Sequence, residues 1–196
     1  MTTIVLVTTD SQVFLAADNK ESSDNLRRPD VSKIVRINDW FLSGSGDVGY
    51  INILLSYMKQ VEVKVFEKHE FDDRMRNLLA EKESLPASSP ETREASLFGI
   101  GTDDFGDAIC LIELDIDKDG IHGNVLDLRP AAPISAYALG SGADLALGAF
   151  YGVLQSVKKT AKISKELEKV FTIVGELDLY TSSTHDLIVL NKSKDV

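Results

Sequence analysis

Alternating and continuous apolar positions predict strands at the start of this chain. Met1-Thr2-Thr3-Ile4-Val5-Leu6-Val7 places two hydroxyl residues before a run of mostly β-branched apolar residues. Such a run is typical of a buried strand. Residues 2–9 and 11–17 are therefore predicted to be two strands joined by a tight polar turn, with Asp18 at the end of the second. Residues 19–30 are polar and predict a loop.

The middle of the chain changes from strand to helix periodicity. Residues 32–37 and 40–43 predict a second hairpin across Asn38-Asp39. A long helix is expected from Tyr50 to about Lys68, because its apolar residues recur at helical spacing. A second helix is expected over 71–82, followed by an exposed loop over 84–95 that carries two prolines.

The remaining elements repeat this order. Strands are predicted at 96–101 and 107–114, a further strand pair across Asp119-Gly120, a strand at 135–139, a helix from Ala143 to about Lys158, a last helix with Ser164 as its N-cap, and a strand at 187–190. One stripe of the last helix is apolar and comprises Ile163, Leu167, Val170, Phe171 and Val174.

Runs of strands separated by paired helices favour an α+β fold in which two sheets pack face to face with helices outside. The strand–helix–strand alternation of a doubly wound parallel sheet does not occur. The chain has 196 residues, which suits a single domain spanning 1–196.

Composition and charge narrow the classes of partner. The net charge is −10, which argues against nucleic acid or an anionic membrane as the main partner. The sequence shows neither a signal peptide nor an apolar run of membrane-spanning length, so a cytoplasmic protein is expected. The single cysteine, Cys110, lies in an apolar run and is interpreted as a buried structural thiol.

Two motif matches carry little weight. Gly44-Ser45-Gly46-Asp47-Val48-Gly49 fits a dinucleotide fingerprint, but hairpins rather than a βαβ unit surround it. Its amides could instead bind an oxyanion. Residues 115–120 match half of an EF-hand loop, yet Leu126 stands where the bidentate glutamate belongs. The histidines His69, His122 and His185 lack metal-ligand spacing, and no metal or cofactor is expected.

The N-terminus offers a different chemistry. Removal of Met1 would give Thr2 a free α-amine beside its hydroxyl, and threonine with an N-terminal amine is an activated nucleophile. Lys33 alternates with apolar Val35 in a predicted strand. This pattern alone favours an exposed lysine at the strand end, whereas an inward lysine would require a partner. Asp18 is the candidate partner, and an ammonium nearby would lower the pKa of the Thr2 hydroxyl and amine.

Six short stretches across nearly the whole chain form a recognisable series: Thr2-Thr3-Ile4-Val5, Leu15-Ala16-Ala17-Asp18, Val31-Ser32-Lys33-Ile34, Ser43-Gly44-Ser45-Gly46, Leu139-Gly140-Ser141-Gly142 and Asp178-Leu179-Tyr180-Thr181. Together they resemble the proteasome-type N-terminal-nucleophile hydrolases. The opening stretch and Leu179-Tyr180-Thr181 are similar to the peptidase subunit of the bacterial ATP-dependent heat-shock protease. The resemblance implies a four-layer αββα sandwich and a β-type subunit.

The resemblance also implies roles for individual residues. Thr2 would be the nucleophile, with Asp18 and Lys33 as its charge partners and the Gly46 amide as oxyanion donor. Three residues would orient the α-amine and a proton-shuttling water: Ser141, Asp178 and Thr181. The implied protein is a threonine-type peptidase that acts on peptides or unfolded proteins, forms a homo-oligomeric ring and has an ATP-dependent unfoldase as a possible partner.

Three positions depart from the family pattern and leave the specificity and fine geometry of the site open. Asn19-Lys20 stands where a polar–arginine pair is usual, Tyr50 replaces an acidic residue in the first helix, and Glu176 competes with Asp178 as the supporting carboxylate.

Alternative functions also stay open. A retained Met1 would block the amine and leave a non-catalytic ring or binding subunit. An amidohydrolase acting on a small amide is a further alternative, and nucleotide binding at 44–49 is a third.

Overall fold

The computed structural model describes residues 2–23, 26–28, 32–60, 93–103, 106–117, 120–128, 133–154 and 162–192. They form an α+β fold with two main antiparallel sheets. The chain divides into two compact units. The first comprises residues 1–35, 43–45 and 129–196, and the second comprises 36–42 and 46–128.

The first unit contains a four-stranded sheet and two helices. The sheet has the order β10-β1-β2-β11, with β1 at Thr3–Thr9, β2 at Gln12–Asp18, β10 at Ile134–Gly140 and β11 at His185–Asn191. Its helices are α2 at Ala143–Leu154 and α3 at Ile163–Leu177. A separate two-stranded sheet pairs β3, Glu21–Ser23, with β4, Leu26–Arg28.

The core of the first unit lies between this sheet and its helices. Val5, Phe14 and Ala16 project from the sheet and cluster with Phe150 of α2 and Phe171 of α3. Ile4, Leu6 and Leu15, at the alternate positions of β1 and β2, are also fully buried. Burial on both faces explains why β1 is a continuous apolar run rather than an alternating one.

A five-stranded sheet has the order β5-β6-β7-β8-β9. Its strands are β5 at Ile34–Ile37, β6 at Trp40–Gly46, β7 at Arg93–Asp103, β8 at Gly106–Asp117 and β9 at Gly120–Asp127. Helix α1, Val48–Gln60, and strands β7, β8 and β9 belong to the second unit, whereas the residues of β5 and β6 are divided between the two units. A Cβ on Gly101 would lie 2.7 Å from the Trp40 ring. Trp40 is 3 % exposed, so this glycine makes room for a buried indole.

Three sequence predictions need correction. The polar segment 19–30, predicted as a loop, contains β3 and β4. A short hairpin is held by hydrogen bonds between backbones, and it does not require an alternating apolar pattern. Strand β7 begins at Arg93, inside the predicted loop, because it pairs with β8 as far as Ile116. Ser164 is not the N-cap of α3: Lys162 is, and no side chain caps that helix.

Most other elements were predicted within a few residues. The five residues of the predicted apolar stripe of α3 are all buried, and Cys110 is a buried thiol. The predicted helix over 71–82, the end of the helix to Lys68, the loop over 84–92 and His69 lie outside the described residues. Among the described helices, none is both long and apolar enough to span a bilayer.

Candidate active site

Thr2 lies buried directly before β1, and the turn that follows β10 binds its carbonyl oxygen. The Ser141 amide donates a 3.1 Å hydrogen bond to the Thr2 carbonyl oxygen. Gly140 has a φ of +96°, and a Cβ there would lie 1.6 Å from the same oxygen. Glycine is therefore required at 140, because any side chain would collide with the backbone of Thr2.

Asp18 ties the start of β1 to Lys33. Its Oδ1 accepts a 2.7 Å hydrogen bond from the Thr3 amide, and the Lys33 Nζ lies 3.0 Å from both carboxylate oxygens. The Lys20 amide donates to Oδ2 at 3.0 Å. Asp18 is fully buried and the Lys33 side chain is 13 % exposed, so the two charges offset each other's desolvation.

Lys33 is itself held through its backbone. It directly precedes β5, and the Ser43 hydroxyl donates a 3.0 Å hydrogen bond to its carbonyl. Ser43 is buried, with 1 % of its surface exposed. This contact fixes the main chain from which the ammonium reaches Asp18.

A second polar cluster forms around Asp178, immediately after α3. Its Oδ2 accepts hydrogen bonds from the Thr181 hydroxyl at 2.6 Å and the Ser141 hydroxyl at 2.8 Å. Its Oδ1 accepts one from the Tyr180 amide at 3.1 Å. Ser141 also holds Thr2 through its amide, so this residue joins the two clusters.

The hydrogen-bond donors around Asp178 favour its ionised form. Partial burial raises the pKa of the carboxyl, but the hydrogen bonds from Thr181, Tyr180 and Ser141, together with the charge of Lys20, outweigh it and lower the pKa. Glu176, the competing candidate, lies on an exposed position of α3. The contacts therefore favour Asp178 as the carboxylate next to Ser141 and Thr181.

A directed chain of hydrogen bonds runs from the start of α2 to Asp178. The Gly142 amide donates to Thr3 Oγ1 at 3.1 Å, and Thr3 Oγ1 lies 2.5 Å from Thr181 Oγ1. Thr181 gives its single hydroxyl proton to Asp178, so Thr3 must be the donor to Thr181. Both threonines are buried. With the hydrogen bonds in this direction, the Thr3 hydroxyl donates to Thr181 and the Thr181 hydroxyl donates to Asp178.

Gly46 belongs to the second unit. Its φ is +117°, and a Cβ there would lie 2.2 Å from the Glu94 carbonyl oxygen. The next amide, of Asp47, donates to that same carbonyl at 2.9 Å. The backbone therefore requires glycine at 46, while its role as oxyanion donor remains a prediction.

The other candidate ligand sites gain no support. Asp47 Oδ1 accepts hydrogen bonds from the amides of Gly49 and Tyr50, at 2.8 and 3.3 Å. A carboxylate thus already occupies the helix terminus where a pyrophosphate was considered. Residues 115–117 and 120–127 continue as paired strands, consistent with a hairpin rather than an EF-hand. Within the described ranges, no three His, Cys, Asp or Glu residues cluster as a metal site.

The structure thus brings together six of the seven predicted site residues within the first unit: Thr2, Asp18, Lys33, Ser141, Asp178 and Thr181. Sequence reasoning missed two more. Thr3 reads as an ordinary strand residue, although its alternation with Val5 and Val7 places it on the helix-facing side. Lys20 stands at a departure from the family pattern, and the sequence predicts no role for it.

Comparisons with known proteins place this arrangement in a known fold. No protein-family model matches the chain, and no curated protein matches it. Among solved structures, BPH of Thiobacillus denitrificans in complex with epoxomicin is similar, with 17 % identity and a TM-score of 0.67, over 98 % of this chain and 100 % of that chain. Eukaryotic HslV from Trypanosoma brucei is similar with 23 % identity and a TM-score of 0.57, over 96 % and 99 %.

Both similarities extend over nearly the full length of each chain. At identities this low, they show the fold and nothing more. They agree with the α+β fold of two antiparallel sheets described above. The chain has the fold of the proteasome-type N-terminal-nucleophile hydrolases.

Proposed function

We propose that this chain is a threonine-type peptidase subunit in which Thr2 acts as nucleophile after removal of Met1. The observation that carries the proposal is the Asp18 carboxylate, which binds both the Thr3 amide and the Lys33 ammonium. This places a partly buried, paired cation two hydrogen bonds from the Thr2–Thr3 peptide. A cation near a threonine lowers the pKa of its hydroxyl and of its α-amine.

The proposed reaction has two stages. The Thr2 α-amine accepts the hydroxyl proton as Oγ1 attacks the substrate carbonyl carbon, and the Gly46 amide donates to the resulting oxyanion. The proton then passes to the leaving nitrogen, the C–N bond breaks and an ester remains on Thr2. Water hydrolyses that ester, which releases the acid and restores the hydroxyl.

The Asp178 cluster has a supporting role in this scheme. Ser141 binds both the Thr2 carbonyl and Asp178, so it can orient the α-amine relative to the carboxylate. Thr181 would help to hold the water that carries the proton. These roles follow from the family resemblance, and the contacts of the three residues are compatible with them.

The assembly and setting are part of the same proposal. We infer a four-layer αββα sandwich that assembles into a homo-oligomeric, self-compartmentalised ring in the cytoplasm, with peptides or unfolded proteins as substrates and an ATP-dependent unfoldase as a partner. The fold shared with HslV supports this reading. Enclosure in a ring would restrict an unselective peptidase to chains that can enter it.

The test combines mass spectrometry, assembly size and peptide cleavage. We expect intact protein from the native host to have lost Met1, to form large homo-oligomers and to cleave short peptides. Thr2→Ala should lower cleavage about a thousandfold or more. Thr172→Ala is the matched control, since this α3 hydroxyl binds the Glu168 carbonyl on an exposed face, and it should cleave at the wild-type rate.

Other outcomes identify the alternatives. Retention of Met1 without cleavage would establish a non-catalytic subunit. Hydrolysis of small non-peptide amides without peptide cleavage would establish an amidohydrolase. Thr2→Ala protein that cleaves peptides at the wild-type rate would refute the mechanism.

A further inference from the structure

Lys20 contacts both polar clusters of the site. It follows β2 by two residues, and its amide donates a 3.0 Å hydrogen bond to Asp18 Oδ2. Its Nζ donates a 2.5 Å hydrogen bond to the Leu179 carbonyl oxygen. One residue therefore connects the carboxylate that holds Lys33 to the segment that carries Asp178.

A hydrogen bond to the Leu179 carbonyl can fix the backbone of the segment from Asp178 to Thr181. Leu179 lies between Asp178 and Tyr180, whose amide binds the Asp178 carboxylate. Its side chain is 81 % exposed, so packing contributes little to its position. A charge-assisted hydrogen bond from an ammonium is about twice as strong as a neutral one, and it fixes the backbone at the centre of this turn.

Lys20 also acts through its charge. Its ammonium lowers the pKa of Asp178 together with the three hydrogen-bond donors that bind that carboxylate. It is thus both a mechanical tether and an electrostatic partner. Both effects support the segment from Asp178 to Thr181, because an ionised carboxylate accepts hydrogen bonds from Thr181 and Ser141 more strongly than a protonated carboxyl does.

We propose that Lys20 is a positioning residue for the reaction at Thr2, and that its bond to the Leu179 carbonyl holds the 178–181 turn in register with Asp18. This inference rests on the proposed function. The lysine does not touch the substrate; it acts through Asp178, Thr181 and Ser141. Loss of the tether should therefore reduce the chemical step more than substrate binding.

Lys20→Met, Lys20→Arg and Lys20→Gln test this in the assembled, processed protein. We expect Lys20→Met to lower kcat about tenfold or more with KM nearly unchanged, and Lys20→Arg to restore most of kcat by donating to the same carbonyl. Lys20→Gln keeps a polar donor but removes the charge, and it replaces Lys20→Met in these measurements if the methionine variant does not fold. Lys165→Met, which removes an exposed lysine of α3, should match wild type.

Hydrogen exchange of a peptide covering 178–184 gives a readout independent of activity. We expect faster exchange in Lys20→Met than in wild type, and near wild-type exchange in Lys20→Arg. Wild-type kcat together with wild-type exchange in Lys20→Met would overturn the inference while leaving the role of Thr2 intact. Faster exchange with an unchanged kcat would overturn it as well. An inactive wild-type protein would instead refute the proposed function, and exchange would still decide whether the tether exists.

Discussion

Lys33 Nζ lies 3.0 Å from each carboxylate oxygen of Asp18, and this pair connects the start of β1 to the strand that follows Lys33. The carboxylate is fully buried and the ammonium nearly so. Each group needs the other, because an unpaired charge at such a site would have lost its hydration without compensation.

Lys33→Met should therefore destabilise the protein strongly. It leaves Asp18 buried without its cation, which typically costs about 3–5 kcal/mol of the free energy of unfolding. Urea unfolding at neutral pH measures the loss. Arg36→Met is the control, since its partner Asp39 lies 4.0 Å away and both side chains are mostly exposed. That change should cost less than about 1 kcal/mol, and equal losses in the two variants would contradict the argument.

Gly140→Ala should impair both stability and activity. The added Cβ would lie 1.6 Å from the Thr2 carbonyl oxygen at a φ of +96°, so the start of β1 must move. We expect a loss of more than about 2 kcal/mol in unfolding free energy and a large fall in peptide cleavage. Gly148→Ala in α2 is the control, because a Cβ there meets nothing within 4 Å. It should stabilise the protein by about 0.5–1 kcal/mol, and a stable, active Gly140→Ala protein would show that the close approach is unimportant.

The Thr3–Thr181 hydrogen bond should appear as a coupling energy. Thr181→Val removes the acceptor of the Thr3 proton, and Thr3→Val removes the acceptor of the Gly142 amide. Each buried group left without a partner costs about 1–3 kcal/mol. The double variant should lose less than the sum of the single losses, by about 1 kcal/mol. Strict additivity in thermal or urea unfolding would mean that the two hydroxyls do not interact.

His185 should make stability depend on pH near neutrality. Its ring stacks on Phe171 with centroids 4.5 Å apart. Burial lowers its pKa from the ordinary 6.5 more than the Ser183 backbone and the charges of Glu168 and Asp186 raise it. The unfolded chain therefore binds the proton more readily than the folded protein.

It follows that stability from neutral His185 is present above pH 6.5 and is lost as pH falls below 6.5 through the lowered folded pKa. Melting temperatures of wild type and His185→Gln, measured from pH 8 to pH 5, test this, and the wild type should lose more on acidification. Identical pH dependence of the two proteins would assign the effect to other groups.

The sequence by itself determined the elements with strong periodicity. Continuous apolar residues identified β1, and the stripe from Ile163 to Val174 identified α3, because one buried surface sets each pattern. The sequence also identified the candidate site residues, through short motifs in a recognisable order. It failed at 21–28 and at the start of α3, where backbone pairing and an uncapped terminus leave no side-chain signal.

Only the tertiary structure decided which side chains meet. Lys33 and Asp18 are fifteen residues apart in the chain, and Thr3 and Thr181 are 178 apart, so no local pattern can specify their contact. Asp178 rather than Glu176 contacts Ser141 and Thr181 because α3 ends before Asp178, and no sequence pattern indicates the contact between Lys20 and the Leu179 carbonyl. Local periodicity reports which surface of an element is buried, whereas hydrogen bonds between distant residues depend on how those elements pack.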